Sequence, residues 1–141
     1  MTQVNDDFIP LLSPGRYEVC YEFHEAVELF RRPKLVIWFR VLDLGAHFGK
    51  LVPRYYNVRR VIGRRGKGAR FQAGRSSNFV REYARLFPNR IARLDRIPMD
   101  PFREARLIVE VRTVVQDREQ EELPPSLLYS VVDRLVKVAP T

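Results

Sequence analysis

The sequence predicts an all-β domain with one helix, and three observations carry that prediction. Five segments alternate apolar with polar side chains or crowd β-branched and aromatic residues together, the pattern of strands. A single stretch around residues 79–87 changes to a helical period. Strands do not alternate with helices along the chain, so a parallel α/β sheet is not expected. At 141 residues the chain reads as one domain over residues 14–138, preceded by an arm at 1–13. That length buries a core without metal or disulfide staples.

The elements follow in order. Pro14-Gly15 marks a turn into the first strand. Tyr17, Val19, Tyr21 and Phe23 then fall on one side, with Glu18, Cys20, Glu22 and His24 on the other. The first set is expected in the core, and the strand continues through Val27 and Leu29, across a bulge if needed. A tight basic turn is expected at Arg31-Arg32-Pro33. Residues 34–42 form the most apolar segment and read as the second strand. Residues 50–62 read as the third, with Pro53 at an edge or bulge because it donates no ladder hydrogen bond.

Residues 63–75 hold four glycines and five cations and read as a flexible loop. Phe79, Val80, Tyr83, Leu86 and Phe87 make one stripe of an amphipathic helix. Ser76, Ser77 or Asn78 supplies its N-cap, and Pro88-Asn89 ends it. A fourth strand spans 104–115, with Leu107, Val109, Val111 and Thr113 on one face. The acidic stretch 116–125 turns the chain into a fifth element at 127–137, a strand or a short terminal helix.

Charge is not spread evenly over these elements. Residues 44–81 contain ten cations and no acid, whereas the whole chain is +8, so the remainder sums to −2. The cations are Lys50, Arg54, Arg59, Arg60, Arg64, Arg65, Lys67, Arg70, Arg75 and Arg81. Phe48, Tyr55, Tyr56 and Phe71 are interleaved with them. Cations that neutralise phosphate beside rings that stack on bases are what a single nucleic-acid strand requires. No apolar run approaches the roughly 20 residues that span a bilayer, so a membrane is not an expected partner. The N-terminus has no signal-peptide shape, which makes the cytoplasm the default location.

Three strands, a helix and two strands is the order of the OB-fold, a five-stranded Greek-key barrel. The runs PGRYEVCYEF, LVIWFRVLD and GAHFGKLVPRYYNV carry a resemblance to a family with that fold. They resemble the "PG-x-Y-x-V", "F-x-V-x-D-G" and "G-x-x-x-x-x-x-Y-N" strands of OB-fold single-stranded DNA-binding proteins of phages and integrative or conjugative mobile elements. The likeness covers about residues 14–60 and, more weakly, the strands after the helix. It implies DNA protection during replication, recombination or mobile-element transfer. The chain ends RLVKVAPT, without the acidic tail of the common bacterial single-strand-binding proteins, so the resemblance does not extend to tail-mediated recruitment.

Catalytic motifs are not legible. Gly63–Ala69, GRRGKGA, lacks P-loop spacing, and Gly66-Lys67-Gly68 lacks the third glycine of a dinucleotide turn. No carboxylate cluster near the basic stretch offers a magnesium site. Cys20 is the lone cysteine and His24 and His47 the only histidines, so a thiolate zinc site is not expected. Neither a cofactor nor an enzymatic activity is expected.

The candidate binding residues are therefore Trp38, Arg40, Phe48, Lys50, Arg54, Tyr55, Tyr56, Arg59, Arg60, Arg64, Arg65, Lys67, Arg70, Phe71 and Arg75. Several have two readings. Trp38 is either a packing residue or a stacking platform, the latter favoured by Arg40 on its own face. Of Tyr55 and Tyr56, one faces the core and the other the solvent. Phe48 and Phe71 are either loop anchors or stacking rings. The acidic residues Asp117, Glu119, Glu121 and Glu122 fit a phosphate-binding surface poorly, so that loop is expected to point away or to meet a basic partner. Single-stranded DNA is the first expected ligand and RNA the second, since nothing here reads a 2′-hydroxyl. A docking subunit of a phage or conjugation assembly is the rival class. A homodimer and replication or recombination proteins are the protein partners this reading admits.

Overall fold

The computed structural model describes residues 11–117 and 119–140; residues 1–10 of the expected arm lie outside them. The strands are β1 (Gly15–Leu29), β2 (Arg32–Val41), β3 (Leu51–Asn57), β4 (Arg60–Ile62), β5 (Gly66–Lys67), β6 (Arg70–Gln72), β7 (Arg106–Val114) and β8 (Tyr129–Val138). Helix α1 covers Asn78–Leu86 and the short α2 covers Asp100–Glu104. The main sheet runs β3-β2-β1-β7-β8, antiparallel throughout. Its end strands β3 and β8 come into contact without a ladder between them. The sheet curls like a small barrel and is not closed by hydrogen bonds.

The long β1 divides its partners. Residues 15–20 pair with β7, and Glu25 and Ala26 pair with β5. The register with β2 shifts between Tyr21 and Phe23. The extra residue reverses the faces, because a one-residue slip exchanges inside and outside. Val19 and Ala26 are therefore both fully buried, and His24 turns inward at 6% exposure. Phe23, expected in the core with Tyr17 and Tyr21, points outward and is half-buried. The turn to β2 is tighter than expected. Leu29 pairs Arg32 directly, leaving Phe30 and Arg31 as its two residues, at φ 53° and 64°. Those values fit the type I′ hairpin turn, although neither residue is the usual Asn or Gly.

Helix α1 forms as its sequence predicts. The Ser77 hydroxyl accepts from the Val80 N–H at 3.2 Å, closing the N-terminus. Phe79 and Tyr83 are fully buried against Phe102 of α2, an element that the sequence pattern does not predict. Pro101 in its first turn suits a helix start, since no hydrogen bond is lost there. The apolar alternation of β7 holds, with Leu107, Val109 and Val111 buried.

One polar tie bridges β3 and β8, and a second fastens the segment before β1 to β8. Glu82 of α1 accepts from Tyr56 Oη at 2.5 Å, Arg54 Nη2 at 3.2 Å and the Leu135 N–H at 3.3 Å. The Leu12 N–H donates to Ser130 Oγ at 2.7 Å, and that hydroxyl donates to the Leu12 carbonyl. Leu12, the last apolar residue of the expected arm, is thereby stitched into the core at 1% exposure.

The expected third strand breaks after Asn57, and the expected flexible loop is folded. Strands β4 and β6 form a second, two-stranded ladder, and β5 at its tip joins β1. Among the described residues no helix is long and apolar enough to cross a membrane.

Candidate nucleic-acid interface

The β4–β6 hairpin sorts its side chains by ladder geometry. Arg60 pairs Gln72 and Ile62 pairs Arg70, so these four share one face. Val61 and Phe71 share the other, which packs on the core. Arg60 and Arg70 are exposed, and Arg60 Nε donates to Gln72 Oε1 at 2.7 Å. Arg59, Arg64, Lys67 and Arg75 are exposed as well. Gly63, Gly66 and Gly68 carry the positive φ values of 73°, 125° and 72° that its tight turns need. Among the described residues, no carboxylate forms an ion pair with Arg59, Arg60, Arg64, Lys67, Arg70 or Arg75.

Other sequence candidates are committed elsewhere. Arg40 grips Glu22 through two hydrogen bonds of 3.0 and 2.8 Å and also donates to the Gly49 carbonyl. That grip holds the Glu22 carboxyl below its usual range. The argument that an unpaired Arg40 marks an exposed face therefore fails. Arg54 sits on the buried Glu82, with its guanidinium 4.4 Å from the Tyr56 ring centroid. Arg65 is paired with Glu28. Lys50 contacts His47 at 3.2 Å.

The rings divide too. Trp38 is 5% exposed and Phe71 4%, so neither is an open stacking platform: Phe71 belongs to the core, and Trp38 is buried on the opposite face of the sheet, against Phe23. Of the tyrosine pair, Tyr56 is the core residue at 3%, and Tyr55 is half-buried. Burial and the adjacent Glu82 push the Tyr56 hydroxyl well above its ordinary pKa. Phe48 is exposed at 55%. Outward-facing Phe23 stacks on Trp38 with centroids 6.1 Å apart, and Lys67 Nζ lies 4.9 Å from the Phe23 centroid. This cation–ring–ring column joins the hairpin to the sheet. The indole Nε1 of Trp38 is buried without an acceptor.

A second ring-bearing feature lies at the open seam. Phe30, Tyr55 and Tyr129 line a groove of about 280 Å³ together with Arg112 and Asp117. Its charges are compensated, because Arg112 Nε is 2.8 Å from Asp133 Oδ1. Asp117 at its rim is fixed by accepting from the Glu119 and Glu121 N–H groups, at 2.8 and 2.9 Å. The acidic loop thus curls onto itself with one carboxylate at the groove.

No known protein family, curated protein or solved structure matches the chain. The site has to be read from its own residues. Sequence reasoning missed Phe30 and Tyr129 because both lie outside the acid-free basic window, Phe30 beside Leu29 in a turn and Tyr129 in the apolar run Leu127–Val132. It missed Phe23 because the bulge reverses the strand's faces. Among the described residues, no three His, Cys, Asp or Glu side chains are placed to share a metal ion.

Proposed function

We propose that the protein binds single-stranded nucleic acid, with DNA as its first ligand and no catalytic step. The observation that carries this reading is the set of six exposed cations on and beside one folded hairpin, none in an ion pair with a described carboxylate. On the face formed by β1, β7 and β8, by contrast, arginines are paired with acids. Such a strip attracts phosphate by counterion release and lacks base-reading specificity, which suits a sequence-tolerant binder. Phe48 and the seam rings supply faces on which bases stack, each worth about 1–3 kcal/mol.

The sheet order β3-β2-β1-β7-β8, with β3 and β8 touching, supports an OB-fold with the hairpin inserted before its helix. In that topology the seam groove lies where oligonucleotides bind. Protection of strands exposed in replication, recombination or mobile-element transfer is the role we assign to it.

The test is fluorescence anisotropy with oligo-dT, the matching RNA and a duplex of equal length. Single strands should bind more tightly than the duplex, with affinity falling steeply as salt rises. Equal or absent binding to all three would instead assign the strip to docking on an acidic protein.

A further inference from the structure

We propose that the cleft between the β5–β6 turn and the segment leading into α2 binds the phosphate monoester of a nucleotide, namely the phosphorylated end of a bound strand. The open cleft has a volume of about 550 Å³, within the range of small-ligand sites. Three arginines line it from three separate stretches of chain: Arg70 of β6, Arg96, and Arg103 of α2. Its apolar surface comes from Phe71, Ile97 and Met99, which are buried and present a dry wall to a sugar or base.

The three arginines are not equivalent. Arg103 is oriented, with Nη1 2.5 Å from Asp100 Oδ1 and the guanidinium 5.6 Å from the Tyr21 ring centroid. Tyr21 is fixed in turn by its 2.6 Å hydrogen bond with His24 Nδ1, and His24 also lines the cleft. Arg70 and Arg96 are exposed and form no ion pair with a described carboxylate, although Arg70 is near enough to Asp95 to help hold its carboxyl below the usual range. The one acid in the lining, Asp95, has both oxygens engaged by Arg93, at 3.0 and 2.8 Å. Its charge is thus compensated from beside the cleft, and the lining keeps a cationic excess.

A phosphate monoester carries about −1.5 to −2 charge at neutral pH, more than the single charge of a phosphodiester. Three arginines lining one cleft therefore favour a chain end over a mid-strand phosphate. The strand form of this inference rests on the single-strand reading above. A free nucleotide presents the same chemistry.

The experiment compares oligo-dT of one length bearing a 5′-phosphate, a 3′-phosphate or hydroxyls at both ends, with thymidine monophosphate measured separately by calorimetry. One phosphorylated end should bind about tenfold tighter than the hydroxyl-ended strand, as charge-assisted hydrogen bonds allow. Arg96→Ala should erase that difference. Arg90→Ala, an exposed arginine outside the cleft lining, should leave it intact and so controls for net charge. Equal affinity for all three strands overturns the terminal-phosphate site while strand binding stands. If no strand binds, the single-strand reading fails and the mononucleotide decides. Heat from thymidine monophosphate that disappears in Arg96→Ala then upholds a free-nucleotide site, and its absence overturns the cleft as a nucleotide site.

Discussion

The hairpin and the β1–β7–β8 face both carry arginines, yet they differ in what surrounds them. On the β1–β7–β8 face, Glu110 lies within 3.3 Å of Arg16 and 3.2 Å of Arg134, Glu18 holds Arg106, and Asp133 holds Arg112. On the hairpin, Arg65 alone forms an ion pair with a described carboxylate, Glu28 of β1. An arginine count therefore says little about phosphate affinity. Neutralisation across strands decides it, and cross-strand partners are tens of residues apart in sequence. A third situation lies in the interior, where Arg54 and Glu82 pair with side chains only 13% and 10% exposed.

That contrast predicts a graded series of responses. The buried pair should be costly to break, because the surviving charge stays buried without its partner. Glu82→Ala should lower unfolding stability by about 3–5 kcal/mol, read by urea denaturation. A loss under about 1 kcal/mol, the size of an exposed pair, would mean that the seam is not held by this carboxylate.

The combined Arg60→Ala, Arg64→Ala and Arg70→Ala variant should do the reverse. Its stability should stay within about 0.5 kcal/mol per substitution, as for surface changes generally. Its affinity for oligo-dT should fall on the order of a hundredfold, and the salt slope should fall by about 2, near 0.7 for each phosphate no longer neutralised. On the neutralised face, Arg134→Ala should change binding little, whereas Glu110→Gln frees two guanidiniums and should raise non-specific binding a few fold. An equal loss of affinity from Arg134→Ala and from a hairpin arginine would erase the distinction between the faces.

The smallest effect concerns pH. Burial lowers the His24 pKa below its usual 6.5, partly offset by the Ala69 backbone. The unfolded chain therefore binds the proton first as pH falls. The stability that the neutral ring contributes is complete above about 6.5 and is lost as pH drops toward the folded value. Thermal melts between about pH 7.5 and 5.5, which bracket an ordinary histidine, should show this decline, and His24→Gln should flatten it.

Much of the sheet was legible because alternation records which face is buried. Val19, Leu107, Val109 and Val111 are inside as their periodicity indicates. A bulge was expected on the way to Val27, but its place at Glu22 was not legible, since an inserted residue leaves no local mark, and with it went the orientation of Phe23 and His24. The ladders within 60–72 were hidden by glycine, which weakens strand propensity while permitting the turns the hairpin needs. The basic strip was visible as a net-charge window. The cleft around Arg96 was not, because Asp95, Asp100 and Glu104 dilute the charge of Arg93, Arg96 and Arg103 in the same stretch. Trp38 and Phe71 show the opposite error, since a ring beside cations reads as a stacking surface until its burial is known.

The most direct test is the anisotropy titration of labelled oligo-dT at several salt concentrations, run on the wild-type protein and the triple hairpin variant side by side. The account predicts tight, salt-sensitive binding by the wild type and a weaker, shallower dependence in a variant that remains folded. Identical affinity and slope for the two proteins would contradict it and would move phosphate binding off the hairpin.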